Sequence, residues 1–71
     1  MDLVVERDAG RVLGIELKAG AAPDDDDAKH LSWLRDELGR RFIAGAVLHT
    51  GPSLYKMGDR ILAIPLCALW G

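Results

Sequence analysis

The stretch DLVVERDAGRVLGIELK, residues 2–18, decides the fold of this chain. Valine and leucine recur on both sides of its centre, which is typical of β-strands. The three residues DAG between the two runs favour a tight hairpin loop, with Gly10 in a left-handed backbone conformation. A loop of this length pairs Arg7 with Arg11. The sequence therefore predicts an antiparallel hairpin at the start of the chain.

That pairing also fixes the register of the hairpin. Leu3 lies opposite Ile15, and Asp2 lies opposite Glu16. One face of the hairpin then collects apolar side chains, from Leu3, Val5, Leu13, Ile15 and Leu17. The other face collects charged side chains, from Asp2, Glu16 and Lys18. A slip by one residue would mix the two faces, so the alternation favours this register.

A helix is predicted in DDDDAKHLSWLRDELG, residues 24–39. The aspartates supply an N-cap and place negative charge at the positive end of the helix dipole. The leucines at 31, 34 and 38 share one face, and Gly39 favours a C-terminal cap. The four aspartates could instead hold a cation, although capping is the commoner role of such a run.

Two further segments complete the predicted sheet. Residues 42–50, FIAGAVLHT, form an almost continuous apolar run, which is typical of a strand covered on both faces. Its small residues Ala44, Gly45 and Ala46 would let the helix approach closely. Residues 54–65 indicate a hairpin around Gly58–Asp59. The predicted order β-β-α-β-β-β contains a βαβ unit, so we expect an α/β fold with a mixed β-sheet and one main helix.

Composition restricts the class of protein. A chain of 71 residues forms one domain, here residues 1–71. The net charge of −2 gives no general basic surface for nucleic acid. The single cysteine, Cys67, excludes an internal disulfide and fits a reducing cytoplasm. It has no base placed to make it a nucleophile. No apolar run approaches the ~20 residues that span a bilayer, so no membrane association is expected.

The charged face of the hairpin suggests a catalytic site. Carboxylates directly opposed across two strands, as in Asp2 and Glu16, have Cβ atoms ~5 Å apart and repel each other. A divalent cation between them would remove that cost. Lys18 projects from the same face. Two acids and a lysine around a metal suit phosphodiester hydrolysis, because the metal activates water and neutralises charge on the phosphate. The alternative is an ordinary solvated charge cluster.

The pattern D…GIELKAG, with Asp2 fourteen residues before Glu16, resembles the D…(D/E)xK signature of the PD-(D/E)XK nuclease superfamily. The whole chain also resembles one branch of it, through DLVVERDAGRVLGIELKAG, LRDELGRRFIAGAVLHTG and GDRILAIPLCALW. That branch is the nuclease-like domain of unknown function that follows an AAA-type ATPase core in bacterial and archaeal ATP-binding proteins.

This resemblance implies roles for four residues. Asp2, Glu16 and the carbonyl group of Leu17 would bind magnesium, and Lys18 would assist the attacking water or the transition state. The chain lacks the helix and strand that begin the family core and normally cover one face and one edge of the sheet. We therefore expect a truncated restriction-endonuclease-like core. An uncovered edge invites another chain, so we expect a homodimer, with strands or the C-terminal hairpin exchanged.

Two classes of function follow from these observations. The first is a structural or interaction module without chemistry, associated with an upstream ATPase domain. The second is a magnesium-dependent endonuclease acting on DNA. Four other residues are less informative. His49 either approaches the site from a neighbouring strand end or is structural, and His30 is expected in solvent. Trp33 and Trp70 suggest apolar surface that a partner would cover.

Overall fold

The computed structural model describes residues 3–69 as one five-stranded sheet with one α-helix on one face. The elements are β1 (Leu3–Glu6), β2 (Val12–Leu17), α1 (Lys29–Leu38), β3 (Phe42–His49), β4 (Tyr55–Gly58) and β5 (Ile61–Pro65). The strand order is β1-β2-β3-β5-β4. Strands β2, β3 and β5 run parallel, and β1 and β4 are antiparallel edge strands. The predicted α/β class, with a mixed sheet and one main helix, is confirmed.

The first hairpin has the predicted register. Leu3 pairs with Ile15, and the backbone N–H of Arg7 donates to the carbonyl oxygen of Arg11 at 2.6 Å. The loop differs in one respect, because Ala9 joins Gly10 in the left-handed region, with φ of 57° and 73°. The predicted partner of Glu16, Asp2, lies outside the described residues.

The predicted helix is built in two parts. Asp24 forms a reciprocal capping box with Asp27, and a 3-10 turn over Asp25–Ala28 leads into α1. This confirms the capping role of the aspartate run. Gly39, with φ of 56°, caps the end of α1, as its position predicted. A second 3-10 turn, Gly39–Arg41, then leads the chain into β3.

One face of the sheet carries the core. Leu31 of α1 is fully buried among side chains from β3 and β5, namely Phe42, Val47 and Ile61. Gly45 makes this approach possible. A methyl group at Gly45 would lie 3.3 Å from Leu31 and 3.0 Å from Phe42. The sequence predicted that Ala44, Gly45 and Ala46 would together let the helix approach. Because side chains alternate along β3, only Gly45 faces the helix.

The opposite face of the sheet carries no α-helix among residues 3–69. We call it the open face. Its side chains are apolar and half-buried or exposed, and they come from four strands: Val5, Leu13, Ile15, Leu17, Ala44, Ala46, Leu48, Leu62 and Ile64. The prediction that residues 42–50 form a strand covered on both faces was therefore wrong. The helix covers the face that carries Glu16, and the leucine-rich face of the hairpin remains open.

An arginine joins the elements at the amino end of the parallel strands. Arg60 occupies the turn between β4 and β5 in a left-handed conformation, with φ of 61°. Its guanidinium group donates to the carbonyl oxygens of Gly39 and Phe42 and lies 5.6 Å from the centre of the Phe42 ring. This one side chain therefore satisfies carbonyl groups where α1 ends and β3 begins.

Candidate functional site

Glu16 and Lys18 lie together at the carboxyl end of β2, on the side of the sheet that α1 covers. The side chain of Glu16 is 15% exposed, beneath the first turn of α1. Lys18 follows the strand directly, and its backbone N–H donates to the carbonyl oxygen of Leu48 at 2.8 Å. In the βαβ unit, α1 begins at this end of the sheet. Side chains from the start of the helix therefore lie next to Glu16 and Lys18.

Among the described residues, Asp27 forms an ion pair with Lys18. The Lys18 Nζ lies 3.3 Å from Asp27 Oδ1. The other oxygen of Asp27 accepts the backbone N–H of Asp24 at 2.8 Å in the capping box. That backbone hydrogen bond, with a further contribution from Lys18, lowers the pKa of Asp27 below its ordinary value of 3.8. The carboxylate thus joins the helix cap to the predicted catalytic lysine.

His30 is the neighbour of Glu16 on the helix. Its Nδ1 lies 3.8 Å from Glu16 Oε1, and its ring is largely exposed, as expected from the sequence. This distance is too long for a direct hydrogen bond. The site therefore contains an acid, a lysine, a second acid and a histidine.

Only part of the predicted magnesium-binding set lies among the described residues. Within residues 3–69, no group of three or more His, Cys, Asp or Glu side chains lies close enough to hold a metal ion. Asp27 is paired with Lys18. The predicted first ligand, Asp2, lies outside the described residues. The third predicted ligand, the backbone carbonyl of Leu17, belongs to the last residue of β2.

His49 has a structural role. It is fully buried, its Nδ1 accepts the backbone N–H of Gly51 at 3.1 Å, and its Nε2 lies 2.9 Å from the carbonyl oxygen of Ser53. These partners require the proton on Nε2. The sequence left two roles open for His49, as a residue near the site or as a structural residue. The structure shows the second role, because both ring nitrogens form hydrogen bonds with the loop that follows β3.

Near His49, hydrogen bonds join the loop that follows β2 to the chain that follows β3. The hydroxyl of Tyr55 donates to the carbonyl oxygen of Pro23 at 3.0 Å, and the N–H of Thr50 donates to the carbonyl oxygen of Gly20 at the same distance. Gly51 packs so closely that an added Cβ would lie 2.0 Å from the oxygen of Ala21. The loop that leaves Lys18 is thereby held in place by the loop after β3.

The site lies at an acidic end of the molecule. Five acids stand at or near this end of the sheet, Glu16 and Asp24–Asp27, against two bases, Lys18 and Lys29. The arginines at positions 11, 41 and 60 lie at the opposite end, around the start of β3. Among the residues that the structure describes, the formal charge at this end of the sheet is therefore acidic.

The open face contains a groove that runs along β3. Its floor is Ala44 and Ala46, and the strands on either side supply its walls. Leu13 and Ile15 form one wall, and Leu62 and Ile64 form the other. The groove encloses about 200 Å³. At the amino end of β5 it continues into a second concavity of about 380 Å³, where Lys56 stands.

Over residues 3–69, the fold and the site define a small mixed α/β domain with an open sheet face on one side. On the other side, a polar cluster of Glu16, Lys18, Asp27 and His30 lies under the helix. The chain belongs to the family described as a domain of unknown function, DUF4143, whose model matches residues 1–69. No curated protein and no solved structure matches it. None of the described helices has the length and apolar character needed to cross a membrane.

Sequence reasoning missed two members of the polar cluster, Asp27 and His30. A signal for both was present. The predicted βαβ unit brings the start of the helix to the carboxyl end of β2, where Glu16 and Lys18 stand. The groove on the open face was not predicted, because it depends on which sheet face the helix covers.

Proposed function

We propose that this domain is a structural or interaction module without catalytic activity, whose open face packs against another polypeptide. One observation carries the proposal. Three parallel strands present an apolar face with no α-helix on it among the described residues, whereas parallel sheets occur almost only with both faces covered. A contiguous apolar face of this kind marks an interaction surface.

The polar cluster supports the same choice. Lys18 is paired with Asp27, and the surrounding charge is acidic, so neither the lysine nor the field favours a nucleic-acid phosphate. A magnesium-dependent endonuclease acting on DNA is the second candidate, favoured by the common location of Glu16 and Lys18 on one sheet face. Titration with magnesium tests it. Amide shifts localised to Glu16 and Lys18 at millimolar metal would favour the nuclease over the module.

The homodimer expected from the sequence is part of the proposal. In the absence of another partner, the open faces or the edge strands β1 and β4 of two copies are the surfaces available for association. The resemblance to ATPase-linked proteins makes a preceding ATPase domain a second proposed partner, in a reducing cytoplasm. Sedimentation over about 5–500 μM tests self-association, and a monomer throughout would contradict the homodimer.

A pair of matched variants tests the open face itself. Leu62→Lys replaces a side chain that is 42% exposed on the open face, and Trp33→Lys replaces one that is 62% exposed on α1. Leu62→Lys should abolish association. Trp33→Lys should leave it unchanged, which would assign the partner surface to the open face and not to the Trp33 surface that the sequence also suggested. Both should change the free energy of unfolding by less than about 0.5 kcal/mol, as is usual at exposed positions. If Leu62→Lys unfolds the domain, the open face belongs to the core and the proposal fails.

A further inference from the structure

We propose that protonation of the buried His49 is a switch that opens the loop after β3, residues 50–54, and loosens the loop after β2, residues 19–23. This inference goes beyond the proposed function, because it concerns the carboxyl end of the strands and not the open face. Two observations carry it, the hydrogen bonds of one ring and the contacts between the two loops. Together they make the closed loops depend on an uncharged histidine.

The hydrogen bonds of His49 are compatible only with the neutral ring. The ring is fully buried, its Nδ1 accepts the backbone N–H of Gly51 at 3.1 Å, and its Nε2 donates to the carbonyl oxygen of Ser53 at 2.9 Å. A second proton would occupy Nδ1 and point at the N–H of Gly51. The protein would then bury a charge and a donor without an acceptor, and both are costly. Protonation therefore favours a state in which the loop has moved away from the ring.

The acids near His49 lie next to other bases. Asp27 is paired with Lys18, and Glu16 lies beside His30. The two loops contain no titratable residue, and β5 places a proline beside His49. The titratable groups on the elements around the ring are Tyr55 on β4, Glu16 and Lys18 on β2, and Asp27 and His30 at the start of the helical region. Within residues 3–69, the ring forms its hydrogen bonds with backbone groups of the loop after β3.

The loop after β2 depends on the loop after β3. The N–H of Thr50 donates to the carbonyl oxygen of Gly20 at 3.0 Å, and Gly51 packs directly against the backbone of Ala21. Both contacts are lost when Thr50 and Gly51 move away from the ring. The loop after β2 joins Lys18 to the cap of α1, so the switch controls how firmly the segment next to the predicted catalytic lysine is held.

Two hydrogen bonds confine the opening to the loops. The hydroxyl of Tyr55 donates to the carbonyl oxygen of Pro23 at 3.0 Å, and the N–H of Lys18 donates to the carbonyl oxygen of Leu48 at 2.8 Å. Neither bond involves His49. The strands therefore stay paired when the loop after β3 opens, and the opening is a local event within a folded domain.

The number of protons sets the size of the effect. The closed state holds a neutral ring and the open state a protonated one, so each opening takes up one proton. A histidine exposed to water gains its proton near pH ~6.5. The closed state is therefore fully favoured above that pH, and the open population should rise roughly tenfold for each pH unit below it.

Amide hydrogen exchange of the 71-residue protein between about pH 7 and 4.5 tests the switch. The lower limit lies above the range in which Asp27, with its lowered pKa, gains a proton. The protection factors of the Thr50 and Gly51 amides should fall roughly tenfold per pH unit below about pH 6.5. Nitrogen-15 spectra should show a neutral His49 ring wherever Gly51 remains protected. A protection factor of Gly51 that stays constant over the whole range would overturn the switch.

Low concentrations of urea separate local opening from unfolding of the whole domain. Local opening exposes little surface, so the exchange of Gly51 should not depend on urea. The amide of Gly45, which donates to the carbonyl oxygen of Arg60 at 2.7 Å within the folded sheet, should lose protection as urea is added. If Gly51 follows Gly45 in its dependence on urea, exchange requires global unfolding and the switch is overturned.

Two histidine variants identify the group that takes up the proton. His49→Gln removes this group, so protection of the Thr50 amide should no longer depend on pH. His30→Gln replaces an exposed histidine on α1 and should keep the original dependence; its loss there would assign the proton to His30 and overturn the proposal. If His49→Gln does not fold, the ring spectra of the unchanged protein decide, because a doubly protonated ring with Gly51 still protected would overturn the switch.

Discussion

Replacing Gly51 by alanine tests the packing that holds the two loops at the site. The added Cβ would lie 2.0 Å from the carbonyl oxygen of Ala21 and 2.9 Å from its carbonyl carbon. Non-bonded atoms settle at about 3.5–4.0 Å, so one backbone segment must move by more than 1 Å. Gly51 does not have a left-handed φ, so the cost is steric and not conformational.

The magnitude follows from this displacement. Overpacking of a rigid site costs typically about 1–3 kcal/mol, and here both sides of the contact are backbone, so we expect about 3 kcal/mol. A domain of this size has a total stability of roughly 4–11 kcal/mol. The melting temperature should fall by roughly 12–24 °C. Urea unfolding and thermal scans measure both quantities.

A matched substitution gives the control. An added Cβ at Gly58 would lie 3.3 Å from Nη1 of Arg35 and 4.0 Å from Cδ1 of Ile61, both at the ends of side chains, and Gly58 also lacks a left-handed φ. Gly58→Ala should change stability by less than about 0.5 kcal/mol. If Gly51→Ala is equally mild, the loop does not pack on Ala21 as described, and the support it gives to the segment after Lys18 is refuted.

Three further predictions concern the residues that join elements. Arg60→Ala should lower stability by about 2 kcal/mol, because two carbonyl groups lose a charged donor. Arg60→Gly should lose about 1 kcal/mol less, since glycine tolerates the left-handed φ. Equal losses of the two variants in urea unfolding would contradict this. Nitrogen-15 spectra should show His49 protonated on Nε2 alone, and the opposite tautomer would refute the assignment. His49→Phe should cost about 2 kcal/mol, because it leaves the buried N–H of Gly51 and the partly buried carbonyl of Ser53 unpaired. The lowered pKa of Asp27 means that its contribution to stability is present above pH 3.8 and is lost as the pH falls through the lower folded-state value. Asp27→Asn should therefore flatten the dependence of unfolding free energy on pH below pH 3.8, and an unchanged slope would show that Asp27 does not join the cap to Lys18.

Local patterns predicted the elements of this fold well. The loop chemistry of DAG and the alternation of residues 11–18 determined the hairpin register, because a one-residue slip would have mixed apolar and charged faces. The capping residue Asp24 and the terminal Gly39 bounded the helical region for similarly local reasons. The predicted order of strands and helix is also the observed order.

The choice of covered face could not be predicted in the same way. The hairpin presents leucines on one face and Glu16 on the other, and a purely local view places the helix on the leucines. The helix lies on the other face because its own apolar stripe fits against Phe42 and Ile61, above the gap that Gly45 leaves. Such shape complementarity joins residues far apart in sequence, so alternation alone does not reveal it.

The position of β3 has a consequence for the order in which the chain folds. Each edge strand pairs with the strand adjacent to it in sequence, so two hairpins form from local contacts. The central strand pairs only with β2 and β5, neither of which is joined to it by a tight turn. Its insertion closes the longest chain loops, which is the slow step in domains of high contact order. Destabilising substitutions in β3 should therefore slow refolding more than those in either hairpin.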